Sequence, residues 1–273
     1  MVVLMEEKAK KLLVVGLEQV LLGNTADLSF FNQQLNTIRD QAFLVYTTDY
    51  SLGSVLALEQ MLRSRPEGLL TPDYLICEGG IGLYQREGTE YLPLVQWMNE
   101  LNQNWSREGI LKITQQFSSD VLALQPEEPG DTTTAGGPFR LRFSLDPGQE
   151  WVVQQLEDLF LQHEIKAQVV SSQDWCLDVM AADKAEAVDY LRAQLGISEE
   201  DSYFFGDHPS DLSLLKLPCR GTILGNARTE LTANLESVSQ LYRSPYPSTQ
   251  GIVDGLHHWG LLNNFAFHNS KAG

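Results

Sequence analysis

The chain has 273 residues, among which 36 aspartates and glutamates outnumber 19 lysines and arginines, for a formal net charge of −17. That length can bury a substantial core, as one large domain or as a core with an inserted lobe. The acidic balance argues against nucleic acid and anionic membranes as partners. Cys77, Cys176 and Cys219 stand far apart without CxxC or metal-ligand spacing, which suits buried thiols in a reducing compartment. The opening stretch MVVLMEEKAKKLLVVGLEQVLLG places its lysines after the first apolar run and breaks the second with Glu18. It reads neither as a signal peptide nor as a spanning helix, so a soluble, cytoplasmic protein is expected.

Residues 12–15 are apolar and partly β-branched, as in a strand buried on both faces of a parallel sheet, and Gly16 ends that run. An amphipathic helix over 27–41 leads to a second buried strand over 42–46, and a helix over 52–63 leads through Thr71-Pro72-Asp73 to a third strand over 74–77. Beyond Tyr84 the rhythm changes. An aromatic-rich helical stretch around Trp97 and Trp105 precedes the polar loop QPEEPGDTTTAGGP, and strand signals at 140–145, 166–170 and 175–180 accompany a helix over 151–163. The βα alternation returns with a helix over 184–195, a strand at 203–205, a helix after Asp207 and a strand near 222–224. The two rhythms predict an α/β core at 1–85 plus 182–273, with an inserted α+β lobe at 86–181.

In an open parallel sheet, chemistry gathers where the strands end. The positions there are Gly16-Leu17-Glu18-Gln19-Val20, then Thr47-Thr48-Asp49, then Lys184 at the returning helix, then Gly206-Asp207-His208-Pro209-Ser210-Asp211. Together these resemble the four motifs of the haloacid dehalogenase (HAD) superfamily, whose first motif is Asp-x-Asp-x-Thr/Val. The strings LVYTTDYS, PDYLICEGGIGLYQ, LNQNWSREGI, GTILGNARTEL and SPYPSTQGIVDGLHHWGLL resemble the sucrose-phosphate phosphatase branch across nearly the whole chain. The resemblance implies a HAD-like Rossmannoid parallel-sheet core with a C2-type cap. It also implies Mg²⁺-assisted transfer of a phosphoryl group to an aspartate, with the cap recognising the sugar.

Gly16 falls where the family keeps its nucleophilic aspartate, and a glycine can neither form a phosphoaspartate nor give a metal an oxygen. Glu18 falls on the general acid and base, one methylene longer than the family's aspartate. Were residues 16 and 18 extended, they would lie roughly 6 to 7 Å apart. That is too far for Glu18 to replace a nucleophile that must approach within about 3.5 Å. Val20 keeps a β-branched shape without a hydroxyl. Thr48, beside Thr47, matches the hydroxyl that binds a phosphoryl oxygen, and a helix cap is its alternative role. Lys184 matches the family's lysine, although the run from Asp178 is about two residues short; a solvated surface lysine is the other reading. Asp207 and Asp211 match the metal-binding motif, and helix capping would also explain them. With residue 16 lacking a carboxylate, Glu18, Asp207 and Asp211 oppose only Lys184, so weak Mg²⁺ binding and a poor phosphate site are expected.

In the lobe, Arg140 and Arg142 share one face of a strand and suit an anionic group or a solvated surface. Gln173, Asp174 and Trp175 suit a sugar edge, with core packing as the alternative for Trp175. His208, His257 and His258 lie outside the ligand pattern and are expected to pack or to face solvent. Two functions follow. One is a catalytically inactive homologue, a pseudophosphatase needing no cofactor, which binds a sugar, a sugar phosphate or a partner protein. Many sucrose-phosphate synthases end in a degenerate phosphatase-like domain, which makes that enzyme class a candidate partner. The alternative is a Mg²⁺-dependent phosphatase of sucrose 6-phosphate or a similar ester, with Glu18, Lys184, Asp207 and Asp211 directing a metal-activated water.

Overall fold

The computed structural model describes residues 10–21, 25–62, 68–117, 138–144, 148–149, 151–171, 176–238 and 240–262. Strand β1 (Lys11–Gly16) is followed at once by a short helix, α1 (Leu17–Leu21), then by α2 (Thr25–Asn36), β2 (Ala42–Thr47), α3 (Leu52–Leu62) and β3 (Tyr74–Cys77). The hairpin β4 (Gly82–Glu87) and β5 (Glu90–Pro93) precedes α4 (Val95–Asn104) and α5 (Arg107–Thr114). The inserted region continues with β6 (Arg140–Ser144), α6 (Trp151–Gln162), β7 (Gln168–Ser171) and β8 (Cys176–Met180). The chain then forms α7 (Lys184–Leu195), β9 (Ser202–Gly206), α8 (Leu212–Lys216), β10 (Arg220–Ile223), α9 (Thr229–Asn234), β11 (Tyr242–Arg243) and α10 (Ser248–His258).

The main sheet has the order β11-β10-β9-β1-β2-β3-β4-β5, parallel from β11 to β3 and antiparallel through the hairpin. Because side chains alternate along a strand, Leu12 and Val14 enter one core cluster while Leu13 and Val15 enter the cluster on the opposite face. Both faces are covered, as the apolar run in β1 requires. Gly16 lies opposite Thr47, and Gly206 opposite Ile223, so the chain leaves these parallel strands at their common carboxyl ends.

The second sheet, β6-β8-β7, is antiparallel and packs with α5 and α6 around Ile110, Phe143, Leu156, Phe160 and Val179. This α+β lobe starts later in the chain than residue 86. β4 and β5 extend the main sheet, and α4 buries Trp97 and Leu101 in the main core. Trp97 Nε1 donates to Ile81 O at 2.9 Å and Gly80 O at 3.2 Å, and its ring lies 4.9 Å from that of Tyr190. An aromatic pair that read as a change of domain is therefore partly the core's own packing. Helix α2 stops at Asn36 rather than continuing to 41; hydrogen-bonded turns follow, and buried Ile38 prolongs the apolar rhythm past the helix end. Among the described residues no helix is long and apolar enough to cross a membrane.

Candidate active site

Gly16 ends β1 and Leu17 begins α1, so residues 16 to 18 are not extended and the spacing expected for an extended run does not apply. The turn brings Glu18 to β2's end, where Thr48 Oγ1 donates to Glu18 Oε1 at 2.5 Å. The same Thr48 oxygen accepts from Tyr50 N at 3.1 Å, so this hydroxyl both holds Glu18 and fastens the turn after β2. Thr47 and Val20 are buried.

The residue that fills the centre of the site is Gln19, which is only 3 % exposed. Its Nε2 donates to Asp207 Oδ1 at 3.1 Å and to Asp211 Oδ2 at 3.0 Å, while its Oε1 accepts from Gly16 N at 3.3 Å. Asp207 Oδ2 accepts from Asn226 Nδ2 at 2.6 Å, and Asp211 Oδ2 accepts the backbone N–H groups of Asp207 and His208 at 3.2 Å each. Burial pushes the Asp211 carboxyl up from its ordinary pKa, against the pull of Lys184 and the backbone donors, and neighbouring Asp207 adds to the rise.

Lys184 reaches the site despite the short run from Asp178. Asp183 caps α7 in a reciprocal capping box with Glu186, and this sets Lys184 at the first helical position. The buried ammonium donates to Ser210 Oγ at 3.1 Å and lies 3.3 Å from Asp49 Oδ1 and 3.8 Å from Asp211 Oδ1. Burial alone would lower its pKa; Asp211, Asp49 and Glu18 outweigh that and hold it above the ordinary lysine value. These groups line a cleft of about 350 Å³ that also includes His208, Asn226 and Arg228. Lys184 is therefore joined by a second cation, Arg228, and the acids by Asp49, so the lining remains net acidic. His208 Nδ1 accepts from Ser210 N at 3.3 Å and caps the turn between the two aspartates.

A magnesium ion seeks oxygen donors in near-octahedral array. Here an NH₂ group points at both motif carboxylates, residue 16 offers no side chain, and among the described residues no three His, Cys, Asp or Glu side chains gather as a metal site. The present donors do not fit that ion.

In the lobe the two arginines turn to one acid. Arg142 Nε and Nη2 each donate at 2.9 Å to Asp178, and Arg140 Nη2 donates to the same carboxylate. Both arginines share the single carboxylate of Asp178 across the strand pair. Gln173, Asp174, Trp175 and most of the loop QPEEPGDTTTAGGP lie outside the described residues. His258 packs flat on Tyr242, with ring centroids 3.8 Å apart.

Sequence reasoning passed over Gln19, Asn226 and Arg228. Asn226 and Arg228 lie within GTILGNARTEL, after the strand that becomes β10, and strand-end position was their signal. Gln19 had a fainter one: a polar residue between Leu17 and Val20, both fully buried.

The chain is similar in sequence and in fold to known proteins. Mannosylfructose-phosphate phosphatase of Agrobacterium fabrum is 26 % identical over 261 residues, spanning 93 % of this chain and 98 % of that one. The structure of the Synechocystis sucrose-phosphatase, solved with sucrose and phosphate, superposes with a TM-score of 0.75 at 25 % identity and covers 92 % of this chain and 98 % of its own. A haloacid dehalogenase-like hydrolase from Bacillus subtilis shares the fold at 15 % identity, with a TM-score of 0.64 and 93 % of each chain covered. Residues 9–260 match the profile of the sucrose-6F-phosphate phosphohydrolases. With the strand-end motifs in family order and the match running from β1 to α10, the chain belongs to the sucrose-6F-phosphate phosphohydrolase family, within the HAD fold.

Proposed function

We propose that this member of the family has given up phosphoryl transfer and works by binding, as a pseudophosphatase. The observation that carries the reading is Gly16 at the end of β1, where a phosphoenzyme would need a carboxylate. Hydrolysis of phosphate monoesters is so slow unaided that enzymes supply up to ~10²¹-fold, and loss of the covalent acceptor leaves much of that barrier standing. The ligand classes this reading covers are a sugar or sugar phosphate, and a protein partner such as a sucrose-phosphate synthase.

The family match and the relatives' names favour a second reading more directly, namely hydrolysis of a sugar phosphate such as sucrose 6-phosphate by a Mg²⁺-dependent route. Within this chain its support is the retained set of Glu18, Lys184, Asp207 and Asp211 around one cleft. Against it stand the glycine at residue 16 and the amide between the two aspartates.

Release of inorganic phosphate from sucrose 6-phosphate with MgCl₂ separates the two. The binding reading expects no release above blank, together with a calorimetric signal for sucrose, sucrose 6-phosphate or a synthase. Turnover that disappears in Glu18→Gln would establish the hydrolase instead.

A further inference from the structure

We infer that the carboxamide of Gln19 takes the place of the divalent cation in this site, so that the strand-end carboxylates are held together without metal. This goes beyond the binding role, because it concerns what organises the site before any ligand arrives.

A cation between two buried carboxylates cancels their repulsion and fixes which oxygens face it. The Gln19 amide offers a weaker, uncharged version of both effects. One N–H is available for Asp207 Oδ1 and the other for Asp211 Oδ2, at 3.1 and 3.0 Å. Its oxygen accepts the Gly16 N–H, so every polar atom of the amide is used. The orientation is dictated by charge: turned over, the amide would press a carbonyl oxygen against two carboxylates. The remaining partners close the network. Asn226 holds the other oxygen of Asp207, and two backbone N–H groups hold Asp211.

The amide and a side chain at residue 16 compete for one space. A Cβ added to Gly16 would lie 2.9 Å from Gln19 Cδ and 3.2 Å from both Nε2 and Oε1. A side chain at residue 16 would therefore require the Gln19 amide to move from its seat between the two aspartates. Since the amide brings no charge, Lys184 and Arg228 remain the counterweight to the acids of the cleft.

Thermal melting of the full chain, in EDTA and in millimolar MgCl₂, tests the inference. The wild type is expected to melt at the same temperature in both. Gln19→Glu keeps the shape but sets a third carboxylate against Asp207 and Asp211, so it should melt lower in EDTA and rise by ~3 °C or more with Mg²⁺. Asp207→Asn in that background should remove the rise. Gln19→Ala, which empties the space without adding charge, should also gain with Mg²⁺, and it decides the matter if Gln19→Glu does not fold in EDTA. A wild type stabilised by Mg²⁺ as strongly as Gln19→Glu would overturn the inference. So would indifference to Mg²⁺ in both variants. Neither result depends on whether sucrose 6-phosphate is hydrolysed, so failure here and failure of the binding reading are told apart.

Discussion

Arg142 grips Asp178 through two parallel hydrogen bonds of 2.9 Å, and the pair sits directly across β6 and β8. Arg140 adds a further donor to the same carboxylate, so one buried acid holds two largely buried guanidinium groups on the lobe's sheet.

Asp178→Asn should destabilise the protein by about 3 kcal/mol, because it leaves two cations without their answering charge. Burial pushes the Asp178 carboxyl up, but the hydrogen bonds from Arg142 and Arg140 outweigh it and hold the folded pKa below the ordinary 3.8. Such a group stabilises the fold above its unfolded pKa and loses that contribution as pH falls through the folded one. Denaturant melts between pH 5 and about pH 2 should show a wild-type loss below pH 3.8 that Asp178→Asn lacks; parallel curves would contradict this.

Lys184→Met should cost about 3 kcal/mol, since Asp49, Asp211 and Glu18 would then face one another across the cleft with only Arg228 nearby. The folded pKa of Lys184 is raised, so its contribution is complete below the unfolded value of 10.5 and declines as pH climbs through the folded one. Unfolding curves at alkaline pH should fall more steeply in the wild type than in the variant. Equal slopes above pH 10.5 would show that Lys184 is not held by those acids.

Gly16→Asp combined with Glu18→Asp would be expected, from the motif alone, to restore metal binding before activity. With Gln19 seated beside residue 16, that pair is not enough, and Gly16→Asp by itself should cost ~1–3 kcal/mol as the two side chains crowd. Adding Gln19→Ala should give a measurable calorimetric titration with MgCl₂ while turnover stays small, because misplacement of about 1 Å can cost ~10²-fold. Mg²⁺ binding by the double variant with Gln19 intact would contradict the expected obstruction.

The βα grammar was legible because buried strands such as β1 and β3 are short apolar runs bounded by turns. Helix α7 matched its expected bounds since both ends are written in the sequence, with Asp183 as N-cap and Gly196 in the left-handed conformation at the other end. The hairpin of β4 and β5 was not legible. Gln85, Arg86, Glu87 and Glu90 are exposed polar residues, and their pairing is visible only once the strands meet. The placing of Arg140 and Arg142 on one face was correct, but the acid opposite them comes from a strand more than thirty residues away. Gln19 escaped for a different reason: an amide carries no catalytic signature, and its importance arises from what converges on it.

Gly80 adopts φ +125°, and a Cβ there would meet the carbonyl carbon and oxygen of Asp183 at 2.2 Å. The connection out of β3 and the connection back from β8 therefore touch backbone to backbone, immediately before α7 begins. That contact acts as a clasp. It ties the first turn of α7, and with it the ammonium of Lys184, to the end of β3 in the sheet rather than to the lobe. Every residue that lines the cleft belongs to the core, so the charges of the site are set by the sheet and its connections alone.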